Sequence, residues 1–286
     1  MLGKSRSLRK GHEIRLVRVK IVPILKALTF FVAFMALFKF ISGLLLHIDK
    51  AYGDLLLLCH YLGFPTFFTL LFMKLWDGTN FTDLGFKDSE EAPKRFVIGA
   101  LIGFCVISSF FLSFYCLGYV KFLGRVEPPG ASTLLQDIVL YLILVYNEEL
   151  IFRGYILNTA RESGSWPSLI ISSITFGAAH LSNPNINPLA LLGLIVAGFL
   201  LGVSFLVFDE IWLPIGMHFM WNLAEEKIFG MPLSGLKPKS WLFAVEIVGP
   251  DLITGGNFGP EGGVLPILME ILLIMAILKF RLRVSQ

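Results

Sequence analysis

The sequence predicts an all-α, polytopic membrane protein, with about eight transmembrane helices in one bundle around an intramembrane polar cavity. Of its 286 residues, 55% are hydrophobic and only 16% are charged, and the mean hydropathy is +0.74. This composition is too apolar for an ordinary soluble domain. The apolar runs are continuous rather than alternating, which favours membrane helices over a β-barrel.

The individual spans are predicted from apolar runs that reach or approach the roughly 20 residues needed to cross about 30 Å of hydrocarbon. We predict eight spans, at residues 22–46, 52–74, 96–119, 133–160, 167–182, 188–208, 211–229 and 264–280. An even number of spans places both termini on one side. Lysines and arginines crowd the first twenty residues and also follow the last span, so the positive-inside rule predicts that both termini are cytoplasmic.

We predict a single membrane domain over residues 1–286, with a basic cytoplasmic tail at 1–21 and the candidate functional motifs within 133–264. Orientation in the membrane explains the basic tail without a nucleic-acid partner. The cysteines lie in apolar runs and form no CxxC pair, so we expect buried thiols, without a disulfide framework or a thiolate metal site. These residues are Cys59, Cys105 and Cys116.

Polar and ionisable residues inside the fourth, fifth and seventh spans are exceptions to the apolar pattern. Such residues cost a few kcal/mol on insertion scales, so they usually face the bundle interior and mark function. They occur in the stretches EELIFR (148–153), FGAAH (176–180) and HFMWN (218–222).

The first stretch gives its two adjacent glutamates different environments. Glu149 and Arg153 are four residues apart on one helical face, so an ion pair can neutralise both charges. Glu148 is turned about 100° away and has no cationic partner within its helix. Glu148 is therefore the candidate general base, and Glu149 is the structural partner of Arg153.

The other two stretches repeat the four-residue spacing. His218 and Asn222 can project into one cavity from the seventh span, and Phe176 can wall the cavity that His180 faces from the fifth. At about 1.5 Å of rise per residue, these polar groups and Glu148 lie at depths of about 10 to 20 Å from the cytoplasmic ends. We predict one shared polar site. The alternative is that the histidines and the asparagine only form hydrogen bonds between helices.

Other polar residues give weaker signals. We expect His47 and His60 to be ordinary interfacial histidines beside the first external turn. Glu225 and Glu226 follow Asn222 by one turn and either support the site or approach the interface. The glycine-rich connection GGNFGPEGG lacks the lysine and the Ser/Thr of a phosphate-binding loop, so we expect turns there rather than a nucleotide site.

The three stretches, in this order and each on a predicted span, resemble the motifs of the CAAX protease and bacteriocin-processing family. This family of intramembrane endopeptidases includes CAAX prenyl endopeptidases and abortive-infection-type proteins. Its motifs are two glutamates followed after three residues by arginine, Phe followed after three by His, and His followed after three by Asn or Asp. The stretches LPIGMHFMWNLAEEKIFGMPLSG and GGNFGPEGG are similar to the bacterial branch, so we expect a bacterial plasma membrane protein.

The resemblance implies hydrolysis of a peptide bond in a membrane-associated or lipidated peptide or protein. Glu148, assisted by His180, would activate water, and His218 and Asn222 would stabilise the oxyanion. In a second version, a metalloprotease, these four residues would instead be ligands of a zinc ion that activates the water. The sequence leaves both versions open. The alternative function is a non-proteolytic transporter, immunity protein or partner-binding protein that uses the same pocket.

Overall fold

The computed structural model describes the backbone of residues 2–48, 50–87 and 90–284, and the side chains of residues 21–48, 56–87 and 90–279. This part of the chain is predominantly helical, as the sequence predicts. Its long helices are α1 (Leu2–Leu45), α2 (Lys50–Phe72), α3 (Ala92–Cys116), α4 (Ala131–Glu149), α5 (Ser165–Ala179), α6 (Pro188–Phe208), α7 (Trp212–Leu223) and α8 (Val264–Val284). The side chains of the basic tail, up to residue 20, and of Arg281 and Arg283 lie outside the described residues.

Each predicted span corresponds to one of these helices. Within the described residues, four helical stretches are long and apolar enough to cross a membrane: Ile21–Leu45, Leu56–Asp77, Ala92–Cys116 and Pro188–Phe208. Helices α5 and α7, with 15 and 12 residues, are shorter than the roughly 20 residues of a typical span. The all-helical membrane architecture is therefore confirmed, whereas the number of eight crossings stays a prediction.

Helices α4 and α7 change their pitch near the predicted site. Helix α4 continues directly into a π-helical segment, Leu150–Leu157, and α7 continues into another, Ala224–Ile228. Turns of π-helix within α-helices are frequent at functional sites because they change the direction in which nearby side chains point. Here they begin directly after Glu149 and shortly after Asn222.

Glycines allow α7 to pack directly against α3. A Cβ atom added at Gly99 would lie 2.1 Å from the Leu213 carbonyl oxygen, and one at Gly103 would lie 2.2 Å from the Met217 carbonyl oxygen. Gly216 of α7 approaches the α3 backbone equally closely. Small residues permit such contacts between membrane helices, where van der Waals packing drives association. The contact fixes the helix that carries the third motif.

The outer surface of the bundle is apolar as well as its interior. Leu25, Val32 and Phe40 of α1 are each more than half exposed, as expected for side chains that face lipid. All three cysteines are free and exposed. The expectation of buried thiols was therefore wrong, because an apolar residue in a membrane helix can face lipid as readily as the core.

A small antiparallel sheet departs from the all-α expectation. Strand β1 (Val120–Arg125) follows α3, and strand β2 (Phe243–Ile247) lies in the connection between α7 and α8. The register shifts between Phe122 and Gly124, as at a β-bulge. The sheet joins two connections that are distant in sequence, and the second connection then leads through a short 3₁₀ turn, Pro260–Gly262, into α8.

Candidate active site

The three motif stretches converge on a cavity of about 350 Å³. Glu148 from α4, His180 from the end of α5, and His218 and Asn222 from α7 all line it, and Phe176 forms part of its wall. The structure thus brings together the four residues that the sequence predicts to share a site. Their roles in catalysis stay a prediction.

Glu149 lies behind this cavity and is fully buried. Its Oε1 accepts a hydrogen bond from Arg153 Nη1 at 3.0 Å, so the ion pair expected from the four-residue spacing is present. The same oxygen also accepts a hydrogen bond from His218 Nδ1 at 2.8 Å. Glu149 therefore links α4 to α7 and orients His218, in addition to neutralising Arg153.

Arg153 is also fully buried and connects three helices. Its Nη2 donates to the carbonyl oxygen of Gly198 in α6 at 3.2 Å, and its guanidinium lies 4.6 Å from the centre of the Phe176 ring in α5. Paired charge, hydrogen bonds and a cation–π contact together offset the desolvation of the guanidinium. Phe176 thus belongs both to the cavity wall and to the support of the ion pair.

His218 presents its second ring nitrogen to the cavity. Because a carboxylate can only accept, Nδ1 is the protonated nitrogen that donates to Glu149. Nε2 lies 3.8 Å from Glu148 Oε2 across the cavity. A carboxylate behind Nδ1 holds the ring in one orientation and stabilises an imidazolium whenever one forms.

His180 is held by a backbone carbonyl of its own helix rather than by a carboxylate. Its Nδ1 lies 2.8 Å from the Phe176 carbonyl oxygen, and its ring packs against the Phe176 ring with centroids 4.8 Å apart. A carbonyl oxygen only accepts, so Nδ1 carries the hydrogen. In the neutral ring, Nε2 is then an acceptor that faces the cavity.

Glu148 differs from Glu149 in lacking partners. Its side chain is 34% exposed, and its buried Oε2 accepts no hydrogen bond from the part of the chain that the structure describes. The preceding residue, Asn147, is firmly held: its Nδ2 donates to the Leu62 carbonyl oxygen at 3.0 Å and its Oδ1 accepts from Thr66 at 3.0 Å. Asn147 therefore fixes α4 against α2 and leaves the Glu148 carboxylate free.

A second cavity, of about 240 Å³, adjoins the first. Glu148, His180 and Tyr61 line both cavities. The walls of the second are mainly aromatic and aliphatic, and include Phe34 and Phe152. The candidate general base thus lies between a polar space and an apolar one.

The comparison with known families agrees with this geometry. A family model described as Type II CAAX prenyl endopeptidase Rce1-like matches residues 130–224. The matched segment runs from the start of α4 to the end of α7 and contains all three motifs. This segment is therefore similar to the CAAX protease family. Neither a curated protein nor a solved structure matches it significantly.

The match supports an integral membrane enzyme of the CAAX-protease type. The match covers the motif helices, and α1 to α3 and α8 lie outside it. The bacterial source, the cytoplasmic position of both termini and the identity of the substrate stay predictions.

Two glutamates outside the three motifs also line the first cavity. Glu226, a support candidate from the sequence, accepts hydrogen bonds from the Tyr141 hydroxyl and from the Lys239 backbone N–H, the latter at 3.0 Å, and pairs with Lys227 at 3.1 Å. Glu261 was missed. It lies in a glycine-rich turn far along the chain, and only its charge could have marked it.

The weaker histidine candidates take no part in the site. His47 is exposed, and its Nδ1 lies 2.8 Å from the Gly43 carbonyl oxygen. His60 is only 7% exposed; its Nε2 lies 3.0 Å from the Phe38 carbonyl oxygen and its ring stacks on Phe38. His60 thus packs between α1 and α2, and its position at the membrane interface stays a prediction.

A zinc centre was the second version that the resemblance implied. Among the described residues, no group of three or more His, Cys, Asp or Glu side chains is arranged to hold a metal ion. His180 and His218 each donate Nδ1–H to a protein acceptor, which leaves Nε2 as the ring atom available to a ligand. The zinc version therefore stays a prediction.

Proposed function

We propose that the protein is an endopeptidase that hydrolyses a peptide bond of a membrane-associated or lipidated substrate, with water activated by Glu148 and His180. One observation carries this proposal. The Glu148 carboxylate, whose Oε2 accepts no hydrogen bond from the described residues, shares a cavity with two imidazoles whose Nδ1 atoms are fixed. Two acceptors, Glu148 and His180 Nε2, and a ring that can become a cation, His218, therefore face one space.

The first chemical step uses the two acceptors. A water molecule that donates one hydrogen to Glu148 and the other to His180 Nε2 is oriented by both. As its oxygen attacks the substrate carbonyl carbon, Glu148 takes the proton as general base. The electron pair of the carbonyl double bond moves to the carbonyl oxygen, which becomes the oxyanion of a tetrahedral intermediate.

The second step uses the donors on α7. The Nε2–H of a protonated His218 and the side-chain amide of Asn222 stabilise the oxyanion, and Glu149 stabilises the charge on His218 from behind. Glu148 then delivers its proton to the leaving nitrogen while the C–N bond breaks and the carbonyl re-forms. The products are a carboxylic acid and an amine, so Glu148 ends the cycle ionised.

The apolar second cavity supports a hydrophobic or lipidated substrate. Its walls from α1, α2 and α4 can take an apolar side chain or an acyl or prenyl chain while the peptide bond lies beside Glu148. Covering an apolar group there also excludes water from the neighbouring polar cavity, which strengthens electrostatic stabilisation of the oxyanion.

Cleavage assays with Glu148→Gln test the proposal directly. Wild type and variant, purified and reconstituted in lipid, are incubated with prenylated CAAX peptides and with an unmodified peptide library, and products are identified by mass spectrometry. We expect the variant to lose about 10²-fold or more of kcat because its general base is gone. The exposed Glu246 on β2 provides the matched control Glu246→Gln, which should retain full activity.

Two outcomes would contradict the proposal. Equal cleavage by wild type and Glu148→Gln would remove Glu148 as the base. Peptide binding without cleavage by wild type would favour the non-proteolytic alternative.

Metal removal separates the two versions of the chemistry. Because no group of three or more His, Cys, Asp or Glu side chains among the described residues is arranged to hold a metal ion, we expect activity to survive dialysis against a strong chelator with no more than about a twofold loss. Metal content is measured in parallel by elemental analysis. Activity that disappears on chelation and returns with added Zn²⁺ would establish the metal-dependent version instead.

A further inference from the structure

Glu261 brings a carboxyl group into the candidate active-site cavity from outside the three motifs. It is only 6% exposed. Its Oε2 accepts hydrogen bonds from the Ser234 backbone N–H at 3.1 Å and from the Ser234 hydroxyl at 3.0 Å. Its Oε1 accepts none from the described residues. One oxygen is therefore anchored, and the other is open to a ligand.

The backbone around Glu261 is fixed by close contacts that only glycine permits. A Cβ atom at Gly193 of α6 would lie 1.7 Å from the Glu261 carbonyl oxygen. Gly259 has φ +113°, and a Cβ atom there would lie 2.2 Å from the Pro232 carbonyl oxygen. The turn that carries Glu261 is consequently packed into the bundle, and its carboxyl group has a defined position.

Two more carboxyl groups lie close enough to Glu261 to interact with it electrostatically. They belong to Glu225 in the π-helical end of α7 and Glu270 in α8. Both side chains are fully buried, and neither forms a salt bridge with a described residue. The basic side chains that interact electrostatically with Glu261 are the imidazoles of His180 and His218, so no lysine or arginine among the described residues compensates these acidic groups.

The residues that line the cavity likewise include more acidic side chains than lysines or arginines. Glu148, Glu226 and Glu261 line the cavity, whereas none of its described lining residues is lysine or arginine. Lys227 pairs with Glu226 as well as with Asp137, so Glu261 is the open carboxyl group outside the motifs. In surroundings of low dielectric constant, such a group attracts a cation strongly and repels a second carboxylate.

We propose that Glu261 forms a subsite for a positively charged group of the substrate, namely a lysine or arginine side chain or a free amino group near the scissile bond. This inference rests on the proposed peptidase function and specifies its substrate class. The same subsite disfavours any substrate that has to place an acidic side chain beside Glu261.

The test uses sets of quenched fluorescent peptides that differ at one position, which carries Lys, Met or Glu. The position is moved through the residues on both sides of the cleaved bond, and kcat/KM is measured for each peptide. At the best position, wild type should prefer Lys over Met by about tenfold or more, and Met over Glu. Glu261→Gln should bring the Lys/Met ratio close to one, whereas Glu246→Gln should keep the wild-type ratio.

A second variant guards against misfolding of the first. Ser234→Ala keeps the carboxyl group of Glu261 and removes one of its two anchoring donors, so it should lower the Lys/Met ratio by a smaller factor. Thermal unfolding of each variant is recorded in the same detergent. An unchanged Lys/Met ratio in folded Glu261→Gln would overturn the proposal, as would a wild type that prefers Glu.

Binding measurements separate this inference from the proposed function. In the Glu148→Ala background, the Lys peptide should bind about tenfold more tightly than the Met peptide, and the additional change Glu261→Gln should abolish the difference. Selective binding of Lys peptides that wild type never cleaves would leave the subsite standing and refute the peptidase function. Cleavage of all peptides without any preference for charge would leave the peptidase function standing and refute the subsite.

Discussion

Two ion pairs of this protein use the same chemical groups in different surroundings. In the pair of Glu149 with Arg153, both side chains are fully buried, and the carboxylate also holds His218. In the pair of Asp209 with Arg161, the side chains are 43% and 34% exposed, and Lys87 shares the carboxylate at 2.6 Å. The first pair lies behind the candidate active site, whereas the second joins connections at the ends of the helices.

The difference in burial determines what each pair can do. Exposed charges are screened and solvated, so breaking such a pair changes stability little. A buried charge that loses its partner cannot be solvated by water instead. Removal of one member of a buried pair therefore lowers stability strongly, even where the intact pair adds little net stability. Burial thus makes the first pair a rigid support for His218 and leaves the second a weak surface contact.

The largest expected effect is that of Arg153→Met. This change leaves the carboxylate of Glu149 buried with only His218 as a donor, and we expect the free energy of unfolding to fall by about 3–5 kcal/mol. Unfolding of the purified protein in mixed micelles measures it. The double variant Glu149→Gln/Arg153→Met removes both charges and should recover most of the loss. Wild-type stability of Arg153→Met would contradict the assignment of this pair as the buried support.

Glu149→Gln tests whether Glu149 contributes to catalysis through His218 as well as to the stability of the fold. Its amide oxygen can still accept from His218 Nδ1, but it no longer stabilises a charge on the ring. We expect kcat to fall about 10- to 100-fold while KM changes less than about threefold, because the interaction matters most in the transition state. Steady-state kinetics with the most efficiently cleaved peptide provide the measurement.

A rise in KM without a fall in kcat would show that Glu149 acts on substrate binding rather than on His218. Folding is checked separately at the assay temperature, since Arg153 loses its anionic partner in this variant. Glu246→Gln again serves as the control for loss of a glutamate charge.

The contrast between the glutamates of the first motif also shows how far the sequence could go. The spacing of Glu149 and Arg153 predicts their ion pair, because both residues belong to one helix with known geometry. The contact of Glu149 with His218 joins residues 69 positions apart. It depends on how α4 and α7 are rotated and how closely they pack, which the pattern within either helix does not specify.

Burial was equally hard to predict. In a soluble protein an apolar pattern separates the core from the surface, but in a membrane bundle both the core and the lipid-facing surface are apolar. Cys59 was therefore expected inside and lies outside, whereas the adjacent His60 is buried between helices. Polar spacing predicted the candidate site better than hydropathy predicted the packing around it.

Glu261 illustrates a different limit. It lies in a turn whose glycines predict irregular structure and no more. The turn reaches the cavity because Gly193 and Gly259 allow backbones to approach within distances that any side chain would prevent. Nothing in the local sequence indicates which helix the turn contacts, so the open carboxyl group could be found only in three dimensions.

The smallest expected effect is that of Asp209→Asn at the exposed pair. Asparagine tolerates the left-handed conformation of this residue, φ +55°, so the backbone should not change.

Burial alone would raise the pKa of Asp209, but hydrogen bonds from Lys87 and Arg161 outweigh it and hold the pKa below its ordinary value. The carboxylate therefore contributes stability above about pH 4, and that contribution is lost as the pH falls through the lowered pKa. We expect Asp209→Asn to cost less than about 1 kcal/mol at pH 7, with a difference from wild type that shrinks in acid. Unfolding at pH 7 and at pH values below about 4 tests this, and a loss as large as that of Arg153→Met would refute the view that burial separates the two pairs.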